Sequence, residues 1–232
     1  MKRLIILFVF SFLFSPMFAE VTIQDDWETK TYDIGKFTNI SLEGGYKVYL
    51  IQGNEHSVVV NASDDDVFDY IQIKNSGDEL IIDVEPDHFE FDRIVLYITF
   101  KELRSLHIEG GVKLETKGYL DLDDFNLYVS GGAKIELDMK AEDVEIVGEG
   151  GVLFELDGVA RKLDVKISGA GHVDADELKT KDVEFRIEGV GTGSVYATET
   201  LFAEIEGVGK VKYKGNPKVT KNIEGLGSVT RD

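Results

Sequence analysis

A glycine tripeptide returns seven times between residues 110 and 227. It reads Gly110-Gly111-Val112, Gly131-Gly132-Ala133, Gly150-Gly151-Val152, Gly169-Ala170-Gly171, Gly189-Val190-Gly191, Gly207-Val208-Gly209 and Gly225-Leu226-Gly227. The first glycines lie 21, 19, 19, 20, 18 and 18 residues apart. A unit of about 20 residues cannot bury an apolar side alone, so a near-constant period of this length means units stacked on one another.

Each tripeptide is flanked by apolar residues at every second position. Phe125, Leu127 and Val129 precede one corner, and Ala133, Ile135 and Leu137 follow it. Leu163, Val165 and Ile167, then Val183, Phe185 and Ile187, repeat the pattern. Period two predicts strands with one buried face. The first glycine shares the parity of the buried residues, and the third position is only Gly, Ala or Val. Two small inward positions predict a bend where two walls converge. The expected fold is all-β: a β-helix or flattened solenoid of about 20-residue coils with glycine corners. Seven coils at about 4.8 Å spacing would form a rod of about 34 Å. An ordinary β-sandwich, the alternative, would show turn signals every 8–12 residues without one tripeptide in phase.

Residues 1–19 read as a secretory signal peptide: Lys2 and Arg3, an apolar run from Leu4 to Phe14, Pro16, and Ala19 before a cleavage point. Residues 20–232 read as one solenoid domain, less regular over 20–100 and regular over 101–232. Ile40, Leu42, Gly44-Gly45, Val48 and Leu50 form a degenerate eighth copy of the corner. Asn75-Ser76-Gly77-Asp78 predicts a turn. Asp64 to Phe68 predicts a short helical turn with Ser63 as its N-cap. The irregular part is expected to cover the exposed end of the sheet.

The net charge is −19, and loss of Lys2 and Arg3 with the signal peptide takes it to −21. That argues against nucleic acid and anionic membranes as partners. No cysteine is present, which excludes disulfides, thiolate metal sites and a lipoprotein anchor.

Outward residues at equivalent positions stack into ladders. Glu188, Glu206 and Glu224 precede successive corners and are the candidate metal ligands, with Ca²⁺ as the cation. Glu115, Glu136, Glu155 and Asp174 make a second acidic ladder, with Lys113, Lys134 and Lys210 two positions before its slots. The plainer reading of both is a solvated, lysine-balanced surface. The repeats lack the Asp-bearing nonapeptide of Ca²⁺-binding β-rolls. Carboxylates such as Asp121, Asp123 and Asp124 would serve a glycosidase, but acids are abundant enough here to pair by chance. His56, His88, His107 and His172 are scattered, with His107 and His172 at outward parity. Gly189-Val190-Gly191-Thr192-Gly193 lacks the lysine and helix of a phosphate loop. Tyr46, Tyr49, Tyr119, Tyr128 and Tyr196 are candidates for an exposed aromatic stripe for sugars or a partner.

Four features carry a resemblance. They are Phe37-Thr38-Asn39-Ile40 with Gly44 and Val48 to Gly53; Gly77-Asp78-Glu79-Leu80-Ile81-Ile82; corners such as Ser168-Gly169-Ala170-Gly171; and Tyr213 to Pro217 followed by Gly225-Leu226-Gly227. In this order the chain resembles the bacterial autotransporter-adhesin head GIN domains over about residues 30–232. The resemblance implies a right-handed β-solenoid, no catalytic residues and a role in cell adhesion. Many relatives are lipoproteins, and the absence of cysteine sets this chain apart from them.

The expected function is a non-enzymatic, extracytoplasmic adhesion or ligand-binding module, periplasmic, surface-bound or secreted. Its partner would be a surface glycan or a protein, with no nucleic acid and no membrane span after signal cleavage. A carbohydrate-active β-helix enzyme and a self-assembling envelope protein, in which the chain forms homo-oligomers, are the alternatives.

Overall fold

The structure is a computed structural model and describes residues 27–85 and 94–232. The signal-peptide segment 1–19 and His88 lie outside the described residues.

The described chain is all-β apart from one 3-10 turn, Asp65–Asp69. Its strands are β1 (Glu28–Tyr32), β2 (Asn39–Gln52), β3 (Ser57–Ala62), β4 (Ile71–Ser76), β5 (Glu79–Val84), β6 (Ile94–Phe100), β7 (Ser105–Thr116), β8 (Leu120–Asp121), β9 (Phe125–Lys214) and β10 (Lys218–Arg231). They join in one open sheet of order β1-β3-β6-β2-β7-β9-β10, with β4 on β5, β5 on β2, and β8 on β9.

The corner glycines explain how strands this long stay paired. β2 bends at Gly44-Gly45. Its first half runs beside β5 and its second half beside β6, while β7 follows it through the bend. All these pairings are parallel, and those that run through a corner set glycine on glycine: Gly44 opposite Gly110, Gly110 opposite Gly131, Gly207 opposite Gly225. The leading corner glycines have φ between +100° and +130°. L side chains rarely adopt that range.

The first tripeptide glycine is not small for the reason parity suggests. A Cβ there would not enter the space between two walls. On Gly131 it would meet the carbonyl oxygen of Gly110 at 2.5 Å, and on Gly169 that of Gly150 at 2.8 Å. The constraint is the neighbouring backbone. The third position does face the core: a Cβ on Gly171 would meet Ile167 and Val152, and one on Gly209 would meet Ile205 and Ile187. A second set of close approaches occurs away from these corners, where Gly158 lies over the carbonyl of Met139 and Gly215 over that of Ala197.

The apolar residues of alternating parity form one core cluster from Phe37 to Val229. Its bulk is balanced pairwise. The Phe185 ring fills the space left by Gly193, and Phe154 stands beside Gly148. Each fully buried phenylalanine contributes about 1.5–3 kcal/mol of transfer free energy.

The N-terminal part alone adds antiparallel pairs to the parallel ones: β1 on β3, β3 on β6 and β4 on β5. Two expectations there are corrected. Asp64, not Ser63, occupies the cap position of the 3-10 turn, and its side chain makes no capping bond. Tyr46 is not part of an exposed stripe. It takes the third tripeptide position of the first corner, is fully buried, and donates its hydroxyl to the Ile82 carbonyl at 3.3 Å. Burial, with Asp83 and Glu43 nearby, raises its pKa far above the ordinary phenol value.

Candidate functional site

Outward residues of the strands that lead into each corner form columns across the sheet. Ser41 lies opposite His107, and His107 opposite Tyr128. Val147 follows one corner later. The His107 and Tyr128 rings stack, with centroids 4.6 Å apart and planes 17° from parallel. Strand spacing of about 4.8 Å dictates that separation, so the backbone itself builds the stack. Two carboxylates fix the ring planes. His107 Nε2 lies 2.8 Å from Glu109 Oε1, and the Tyr128 hydroxyl donates to Glu149 Oε2 at 2.9 Å. The bond to Glu149 raises the Tyr128 pKa above its ordinary value.

Ser41 and Val147, the column neighbours, are too short to cover the outer faces of this pair. The result is a shallow groove of about 570 Å³. Ser105, Asn126, Glu145 and Glu79 also line it. It joins an apolar platform to hydroxyl, amide and carboxylate groups in fixed positions, the composition of a site that selects by shape and hydrogen bonding.

Further along the same face the character changes to an ionic mesh. Arg186 meets Glu184 at 2.6 Å and Asp164 at 2.9 Å, and Lys162 lies 3.4 Å from Glu184. The Arg186 bond holds the Glu184 carboxyl below its ordinary range. Glu188 is engaged by Lys166 at 2.7 Å and accepts from the Ser168 hydroxyl at 3.3 Å. Glu206 and Glu224 stand opposite one another in register. Among the described residues, no group of three or more His, Asp or Glu side chains is gathered so as to hold a metal ion.

The second acidic ladder is paired with lysine at Glu115, Glu136 and Glu155. Glu115 is bridged by Lys113 at 2.9 Å and Lys47 at 3.3 Å, and Lys134 joins Glu136 at 2.5 Å to Glu155 at 3.2 Å. Lys210 stands opposite Ser228 instead of a carboxylate. The remaining tyrosines do not form one stripe. Tyr49 stacks on Tyr97 at 5.1 Å beneath Lys117, Tyr196 lies under Lys179, and Tyr119 is exposed alone. Of the histidines at outward parity, His172 bonds Thr192 at 2.6 Å and His107 enters the groove. Sequence reasoning placed both on the surface but missed the His107–Tyr128 stack. The signal for it was their shared position, two residues before a serine or glutamate that precedes the corner.

No described helix is long and apolar enough to cross a membrane. No curated protein matches the chain significantly. Among solved structures, a putative adhesin from Bacteroides fragilis NCTC 9343 is similar at 23% identity and TM-score 0.79, covering 89% of this chain and 97% of that one. A putative adhesin from Parabacteroides merdae ATCC 43184 gives 21% and 0.68, over 89% and 96%. A structure described as a putative lipid binding protein, from Parabacteroides distasonis ATCC 8503, gives 21% and 0.65, over 90% and 98%. At these identities the likeness shows the fold alone. Residues 36–217 match the family described as putative auto-transporter adhesin, head GIN domain, and the chain belongs to that family.

Proposed function

We propose that this chain is an exported β-solenoid, residues 20–232 forming one right-handed domain, that binds a glycan on its groove face and does not turn it over. The recurrence of glycine on glycine every 18 to 21 residues supports the solenoid. The carboxylate-fixed His107–Tyr128 stack carries the binding reading. A ring held in place loses little entropy when a sugar face settles on it. The family description supports adhesion and an extracytoplasmic location.

The test is glycan-array binding by residues 20–232, with Tyr128→Ala and His107→Ala as comparisons. Binding without turnover that drops at least tenfold in Tyr128→Ala is expected. Turnover would replace this reading with a glycosidase, and silence on the array would sink it. Running the array with Ca²⁺ and with chelator also tests cation binding on the Glu188–Glu206–Glu224 ladder. A vesicle-flotation arm covers the lipid-binding description of the Parabacteroides distasonis structure.

A further inference from the structure

A second cavity, of about 420 Å³, lies where the segment before β2, the loop between β2 and β3, the turn between β4 and β5, and the end of β6 converge. Lys36, Phe37, Thr38, Asn54, His56, Asp78, Lys101 and Glu102 line it. In a chain of net charge −19, two lysines and a histidine converge on one small space. Neither lysine ammonium is in an ion pair among the described residues. The His56 ring stands edge-on to Phe37 at 4.8 Å, and its Nδ1 is buried with no hydrogen-bond partner. An unpartnered buried ring nitrogen costs free energy unless a ligand or water meets it.

We propose that this cavity binds a monoanionic sugar acid. Its carboxylate lies between Lys36 and Lys101 beside His56, and its hydroxyls meet Thr38, Asn54 and Asp78. The volume suits one monosaccharide. Three donors of positive or potentially positive charge suit a single carboxylate. Asp78 and Glu102 at the rim oppose a phosphate of higher charge but accept hydrogen bonds from hydroxyls. Burial, and after it Lys36 and Lys101, holds the free His56 imidazole below its ordinary value, while Glu102 acts the other way. A bound carboxylate offsets the repulsion from the two lysines and favours the protonated ring, so affinity should rise as the pH is lowered from neutrality.

The site is separate from the His107–Tyr128 groove, and its failure leaves that reading untouched. The experiment is an NMR titration of residues 20–232 with sodium glucuronate and sodium N-acetylneuraminate, with glucose and inorganic phosphate as comparisons. Saturable shifts of the His56 ring protons and the Thr38 and Asn54 amides with an acidic sugar are expected, at least tenfold weaker with glucose. Lys36→Gln with Lys101→Gln, both exposed positions, should weaken binding at least tenfold while the circular dichroism spectrum is unchanged. If the pair does not fold, Lys101→Gln alone should weaken it at least threefold. No saturable response to either acid, equal response to glucose, or phosphate binding as tightly as the sugar acids would overturn the proposal.

Discussion

The carbonyl oxygen of Gly131 stands 2.6 Å from where a Cβ on Gly150 would sit. Gly150 itself has φ +100°, so an alanine there is strained and also collides with backbone, which cannot swing aside. Gly150→Ala should therefore lower stability by at least ~1–3 kcal/mol. Gly151→Ala is the comparison. Its φ is not positive and a Cβ there meets nothing within 4 Å, so it should be neutral or slightly stabilising. Urea unfolding midpoints of the two variants decide this. Equal midpoints would mean that the stack of glycines can open without cost.

Inside the sheet, Gly193 and Phe185 share one volume. A Cβ on Gly193 meets the Phe185 ring on three of its atoms. Gly193→Ala should cost about 1–3 kcal/mol by overpacking. Adding Phe185→Leu should restore a good part of it, giving a coupling of opposite sign to the single effects. Additive losses in thermal melts would show that the two side chains do not compete.

Two carboxylates should respond to pH in opposite directions. The Lys113 bond, with Lys47, holds the Glu115 carboxyl below its ordinary value of 4.5. A depressed folded pKa contributes stability above the unfolded value, and that contribution is lost as the pH falls through the folded one. Asp157 is raised from 3.8 by burial first and then by Asp138, Glu177, Asp174 and Glu155. Its ionised form destabilises the fold at neutral pH, and the penalty disappears as the pH falls below about 3.8. At pH 7, Glu115→Gln should lower the melting midpoint and Asp157→Asn should raise it, each by under ~1 kcal/mol because solvent screens both sites. The Asp157 difference should vanish below about pH 3.8, and the Glu115 difference should shrink progressively as the pH falls below 4.5. Shifts of the same sign at pH 7 would contradict the assigned surroundings.

Lys134 bridges Glu136 and Glu155 from a partly exposed position. Lys134→Met should cost no more than about 1 kcal/mol, and 1 M NaCl should remove most of the difference. A larger, salt-insensitive loss would mean that the directed hydrogen bonds from the ammonium, not screened charge attraction, hold the two carboxylates' strands together.

Period-two alternation and the tripeptide made the regular part of the chain legible from sequence, because burial parity and register follow from spacing alone. The lysine balance at Lys113 and Lys134 followed the same way. Tyr46 was misplaced because the degenerate corner Gly44-Gly45-Tyr46 was recognised but its third position was not treated as inward like Val112 and Val152. The role of the first glycine was misread because parity describes direction toward a core and carries no information about backbone in the adjacent strand. The Lys36–His56–Lys101 cavity had no linear signal: its residues come from four segments that only the pairing of β2, β3, β5 and β6 brings together.

The order of the sheet places β1 at one edge and β10 at the other, with nearly every strand between them lying across the line that joins those edges. Tension applied from edge to edge would load the backbone hydrogen bonds along their own direction, one row before the next. A sheet loaded in this way gives by peeling, row after row, instead of parting all at once.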